Sequence, residues 1–166
     1  MNTWIEHLKH NNYKKIQELI DSGEDINANS ETGESVLMYA IRAHSDLNIL
    51  HLLIDKGADI YATDEEGVSV FDMAISYNNM KMVNYFLDKG IDINETKRKS
   101  GFTPLMCAAS YGRYEIVKLF LSKGVDKEAV DAKGFSATDF CRKMHKKGML
   151  KLLGYDENSI KNTKIA

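Results

Sequence analysis

The side chains in this sequence with the chemistry to hold a metal or attack a substrate are few and poorly grouped. His7 and His10 lie three residues apart, which places them on one face of a helix. A zinc ion takes three or four protein ligands, so this pair reads as surface histidines of a first helix. Cys107 and Cys141 stand 34 residues apart. Two cysteines are too few for a disulfide framework, and they read as small, buried, apolar core residues. The pair Glu65-Glu66 falls in a turn-forming stretch and reads as solvated charge rather than a coupled acid and base. No serine sits in a nucleophile elbow, and neither glycine-rich phosphate-binding pattern is present. The expectation is a protein that is not an enzyme, with no cofactor and no metal.

The elements that would carry these residues belong to a soluble chain. Net charge is −2, from 22 basic and 24 acidic residues, so global charge points to neither nucleic acid nor an anionic membrane. No apolar run approaches the roughly 20 residues of a membrane span. Met1 to His10 lacks the basic start and apolar stretch of a signal peptide. A cytoplasmic protein without membrane insertion is expected.

The chain repeats itself. Gly23, Gly57, Gly90 and Gly124 follow one another at steps of 34, 33 and 34 residues, and Gly33, Gly67, Gly101 and Gly134 at 34, 34 and 33. Two interleaved series with one period define a unit of about 33 residues. Inside the unit Ser100–Gly112, Thr103 is placed to cap a helix and Pro104, the only proline, to occupy its first turn, where a missing N–H is not needed. A second helix is expected over Tyr114–Lys123. Its apolar residues Ile116, Val117, Leu119, Phe120 and Leu121 cover most of the circumference, so it must be packed on several sides. Stretches such as Gly57–Gly67 mix β-branched residues with turn formers and suit hairpin-like connections.

The segment Gly101-Phe102-Thr103-Pro104-Leu105-Met106-Cys107-Ala108-Ala109 closely resembles the ankyrin-repeat pattern G-x-T-P-L-H-x-A-A, and Gly33–Ala40, Gly67–Ala74 and Gly134–Cys141 resemble it more loosely. The likeness spans residues 3 to 154. It implies an all-α ankyrin-repeat solenoid of about five helix-turn-helix repeats with short hairpin-like loops. These fall near 3–29, 30–63, 64–97, 98–130 and 131–154, in a single domain 1–154 with a polar tail 155–166. The first repeat's second helix, Tyr13–Asp21, has a narrow stripe of Ile16, Leu19 and Ile20, as an end repeat with one side in water would. The fifth has a stripe of Ala137, Phe140, Cys141 and Met144. Met38, Asp72, Met106 and Asp139 replace the family's histidine, so the hydrogen bond it makes is expected to be absent. One extra residue is expected in 43–47 and one in the loop Asn94–Gly101.

The resemblance also implies a function: binding another protein on a concave face of hairpin tips and first helices. Carried onto this sequence, the contact positions are Glu31, Thr32, Glu34, Arg42 and Ala43, then Glu65, Glu66, Val68, Ser76 and Tyr77. Lys99, Ser100, Phe102, Ser110 and Tyr111 follow, then Ala132, Lys133, Phe135, Lys143 and Met144. The early tips are acidic. The later ones, with Lys97, Arg98, Lys99 and Lys133, are basic and lie beside aromatics, a composition typical of binding hot spots. The expected protein is a monomer by itself and a protein-binding module, with no small-molecule substrate and no nucleic acid. The alternatives are a nucleic-acid-contacting adaptor using the 97–99 loop, and an enzyme or metal-binding protein with an unrecognised site.

Overall fold

The computed structural model describes residues 1–155. Ten helices lie among them, in five consecutive pairs. They are α1 (Asn2–Lys9) with α2 (Tyr13–Asp21), α3 (Val36–Arg42) with α4 (Leu47–Asp55), α5 (Val70–Ser76) with α6 (Met80–Asp88), α7 (Pro104–Ser110) with α8 (Tyr114–Ser122), and α9 (Ala137–Lys143) with α10 (Lys147–Leu152). Three isolated antiparallel bridges, Asn29 with Ser35, Thr63 with Ser69 and Val130 with Ser136, close hairpin-like turns ahead of α3, α5 and α9. The chain forms two compact units. The first holds Met1–Ile91 and Lys97–Lys99, the second Asp92–Thr96 and the chain from Ser100 onward.

The first helix of each later pair starts at a capped position. Ser35, Ser69, Thr103 and Ser136 each accept a hydrogen bond from the backbone N–H three residues on, satisfying a donor the helix leaves unpaired. Pro104 occupies the first turn of α7 behind Thr103, as the sequence implies. Three of the four residues that stand where the ankyrin pattern has histidine, Asp72, Met106 and Asp139, still bond through their side chains. Asp72 and Asp139 reach back to the backbone N–H of Ser69 and Ser136 at 2.9 Å, completing capping boxes, and the Met106 sulfur accepts from Thr103 N.

The core of the first unit runs through Trp4, Leu8 and Ile16, then Leu37 and Ile41, Leu50 and Leu53, and Ile75, Val83 and Phe86, all sealed from solvent. In α2, Ile16 is buried while Leu19 and Ile20 are half-buried, the pattern of a helix with one side in water. The extra residue of 43–47 lengthens the turn between α3 and α4, and it has a use. The Ser45 hydroxyl donates to the Leu8 carbonyl at 3.0 Å, and Asp46 N–H donates to Asn11 Oδ1 at 2.7 Å, both tying back to the first pair.

In the second unit α7 is buried from Pro104 to Ala109, and Ile116, Val117 and Phe120 of α8 pack with it. Cys107 and Cys141 lie in this core, fully buried, as expected. Two expectations fail here. Met144 does not join the stripe of Ala137 and Cys141, because α9 ends at Lys143; Met144 is its C-cap and stands half exposed. Tyr155, assigned to the tail, belongs to the folded part: its N–H donates to Leu150 O, and its ring lies under the Arg142 guanidinium. The rest of that tail, 156–166, lies outside the described residues.

Within each pair the turn between helices carries a left-handed residue: Asn11, His44, Asn78, Gly112 and His145, with φ from 51° to 68°. The outer turns form backbone ladders within each unit. Glu65 N–H donates to Thr32 O and Lys99 N–H to Glu66 O in the first, and Ala132 N–H to Ser100 O in the second.

Candidate functional site

The residue three before each turn glycine decides how the turn tip is held. Ser30, Asp64 and Asp131 accept hydrogen bonds from backbone N–H groups two and four residues on. The equivalent residue of the remaining turn is Arg98, which only donates. This loop, Asn94–Gly101, is also the one a residue longer. Its Thr96 hydroxyl donates to the Phe102 carbonyl at 2.8 Å, and Arg98 turns inward to the Asp72 carboxylate at 3.2 Å. Asp72 is almost wholly buried. Gly67, at φ +79°, lets the Lys97 carbonyl come so close that no β-carbon would fit between them. Residues 97–99 are therefore strapped onto the first unit.

That strap changes the charge expected on the 97–99 loop. Arg98 is neutralised by Asp72, and Lys99 pairs with Glu66 at 3.3 Å. Of the three, Lys97 alone has no ion pair among the described residues. Glu34 and Arg42, expected as separate contacts, form a two-pronged pair with each other at 2.7 and 2.8 Å. This bond holds the guanidinium's proton more tightly than usual. Tyr77 packs edge-on against His44. Glu31 and Glu65 stand exposed on their tips. The first unit's candidate residues are thus largely satisfied by one another.

The second unit brings its candidates together. Phe102, Phe135 and Phe140 meet edge-to-face, with ring centroids 5.1 Å apart for Phe102–Phe140 and 6.1 Å for Phe135–Phe140. They line a hollow of about 570 Å³ bordered by Lys133, Arg142 and Lys143. Phe135 is 47 % exposed. Ser100 and Ala132 sit at the rim with Asp131 and Asp139. Asp139 is held well below the usual aspartate range, first by the Ser136 backbone N–H, then by the Ser136 hydroxyl and Arg142. Ser110 and Tyr111 lie outside the hollow at the end of α7, where Tyr111 is exposed and stacks on Arg113.

Sequence reasoning missed Phe140 and Arg142. The helical spacing of its stripe puts Phe140 in the core, yet it is only half-buried and its ring lines the hollow against Phe102. The run Arg142-Lys143-Met144-His145-Lys146-Lys147 was legible as a basic cluster and is the strongest one in the chain.

The other chemical candidates do not assemble. His10 bonds Glu6 at 3.0 Å rather than joining His7 at a ligand position, and no cluster of three or more metal-binding side chains occurs among the described residues. Burial pushes the Cys141 thiol up against the weaker pull of Lys146, which leaves it a poor nucleophile. No helix of the described residues is long and apolar enough to cross a membrane.

A family model described as ankyrin repeats (3 copies) matches residues 5–97, 37–131 and 95–164. No curated protein matches the chain.

Proposed function

The chain belongs to the ankyrin-repeat family, a family of all-α solenoids that are generally protein-interaction modules and typically non-catalytic, and from this premise we propose that it binds a partner protein through the Phe102–Phe140–Phe135 hollow of its second unit. This hollow carries the reading. Three phenyl rings hold one another in place, one of them half exposed, and lysine and arginine stand around them. Rigid aromatics with cations at the rim are what hot spots are made of. The surrounding turn tips and first helix would supply the rest of the contact, and the module would act in the cytoplasm. Two buried thiols suit a reducing compartment.

The test begins with affinity capture from the native cells and identification of the partner by mass spectrometry. Its affinity is then measured by calorimetry against Phe135→Ser. Phe135 is exposed enough for the substitution to leave the fold intact, which circular dichroism checks. Binding weaker by about tenfold or more is expected. Unchanged affinity would refute the hollow as the binding site.

A further inference from the structure

The hollow is continued by a strongly cationic stretch. Between Ala137 and Tyr155 there are five basic residues, Arg142, Lys143, Lys146, Lys147 and Lys151, against one acidic residue, Asp139. Lys143 lines the hollow, and Lys146 extends from the next turn towards Gly112. Lys133, Lys143, Lys146 and Lys147 form no ion pair among the described residues. The two rim carboxylates are already engaged. Asp131 accepts from the backbone N–H groups of Lys133 and Phe135. Asp139 accepts from Ser136 and pairs with Arg142 at 3.3 Å. An incoming group thus meets phenyl rings lining the hollow, with Lys133 and Lys143 beside them and Lys146 and Lys147 following Lys143 in the chain, none of the four ion-paired among the described residues.

We propose that this surface takes an acidic segment of another protein carrying one bulky apolar side chain, the side chain seated on the three phenylalanines and the carboxylates lying along Lys133, Lys143, Lys146 and Lys147. The proposal rests on the reading of the hollow as a protein-binding site and adds what it binds. Charge complementarity selects the carboxylates. The hollow's volume falls within the roughly 300–1,000 Å³ of ligand pockets, and its phenyl rings select the anchor. The general use of ankyrin repeats as protein-interaction modules favours a polypeptide over a nucleic-acid backbone as the source of that negative charge.

The experiment pans a random twelve-residue peptide library against the immobilised full-length protein, then measures recovered peptides by fluorescence anisotropy. A labelled single-stranded oligonucleotide and vesicles containing an anionic phospholipid are run alongside. The expected peptides combine several Asp or Glu residues with one Phe, Trp, Leu or Ile. Binding weakens about tenfold or more with Phe135→Ser and again with the exposed pair Lys143→Glu and Lys147→Glu, and falls as salt is raised. If neutral or basic peptides are recovered that still depend on Phe135, the acidic-segment proposal fails while the hollow stands as a protein-binding site. If the recovered peptides ignore Phe135, both fail. Recovery of no peptide overturns the proposal, as does oligonucleotide or vesicle binding that depends on these lysines when no acidic peptide binds.

Discussion

Asp139 works twice at the start of α9: its carboxylate accepts from Ser136 and pairs with Arg142 at the edge of the hollow. Asp139→Ala removes the reciprocal half of the capping box, and a loss of about 1 kcal/mol by urea denaturation at pH 7 is expected. The sign with pH follows from the depressed acidity of this carboxyl. Its contribution is full above the ordinary aspartate value of about 3.9 and disappears as pH falls through the lower folded value. The stability gap between wild type and Asp139→Ala therefore narrows below about pH 4; a gap undiminished at pH 2 would refute the electrostatic account. The Ser-x-x-Asp spacing is present in the letters, but read as sequence Asp139 is only a replacement for the family's histidine, where a hydrogen bond is expected to be lost. Phe140 was not legible: helical spacing says which residues share a face, not whether the neighbouring turn covers it, and only the placement of Phe102 and Phe135 shows that this phenyl ring borders a hollow.

The loop Asn94–Gly101 shows how one element departs from its siblings. Its added residue was countable from the glycine spacing, but its consequence was not, because Arg98 had been read as a surface charge. In the structure Arg98 replaces a tip-capping aspartate and turns to a buried partner far away in sequence. Arg98→Met removes the cationic partner of the buried Asp72 carboxylate, and should cost about 3–5 kcal/mol. Adding Asp72→Asn should recover part of that loss in a double-mutant cycle. Additive losses would mean that the pair is not coupled. Gly67→Ala tests the same strap from the other side. It combines a left-handed backbone with a clash on the Lys97 carbonyl, whereas Gly23→Ala has an equally left-handed backbone and open space. Gly67→Ala should therefore destabilise by more than Gly23→Ala, and by well over about 1 kcal/mol; equal losses by thermal melting would count against the close approach.

At the scale of the molecule, charge follows the two units. The first holds 10 basic and 15 acidic residues, and the described part of the second holds 10 and 7. A polarity was readable in the order of the tips, but its source was not: ion pairs silence most of the 97–99 loop, and α9 and α10 supply the positive charge instead. Stability in a repeat fold is close to a sum over neighbours, so damage at one end stays local. Trp4 seals the first pair and is fully buried. Trp4→Ala should cost about 3–5 kcal/mol, with amide exchange accelerated in α1 and α2 and little changed in α7 and α8. Uniform acceleration throughout would show a single cooperative block. The five left-handed turns have a consequence for engineering. Asn11 offsets its strained backbone by receiving the Asp46 N–H, and Gly112 has no side chain to strain, but His145 holds φ +55° in an exposed position. A histidine there surrenders roughly 1 kcal/mol that glycine would keep. His145→Gly is thus an available thermostabilising edit, one that hardens the scaffold while leaving every ring of the hollow in place.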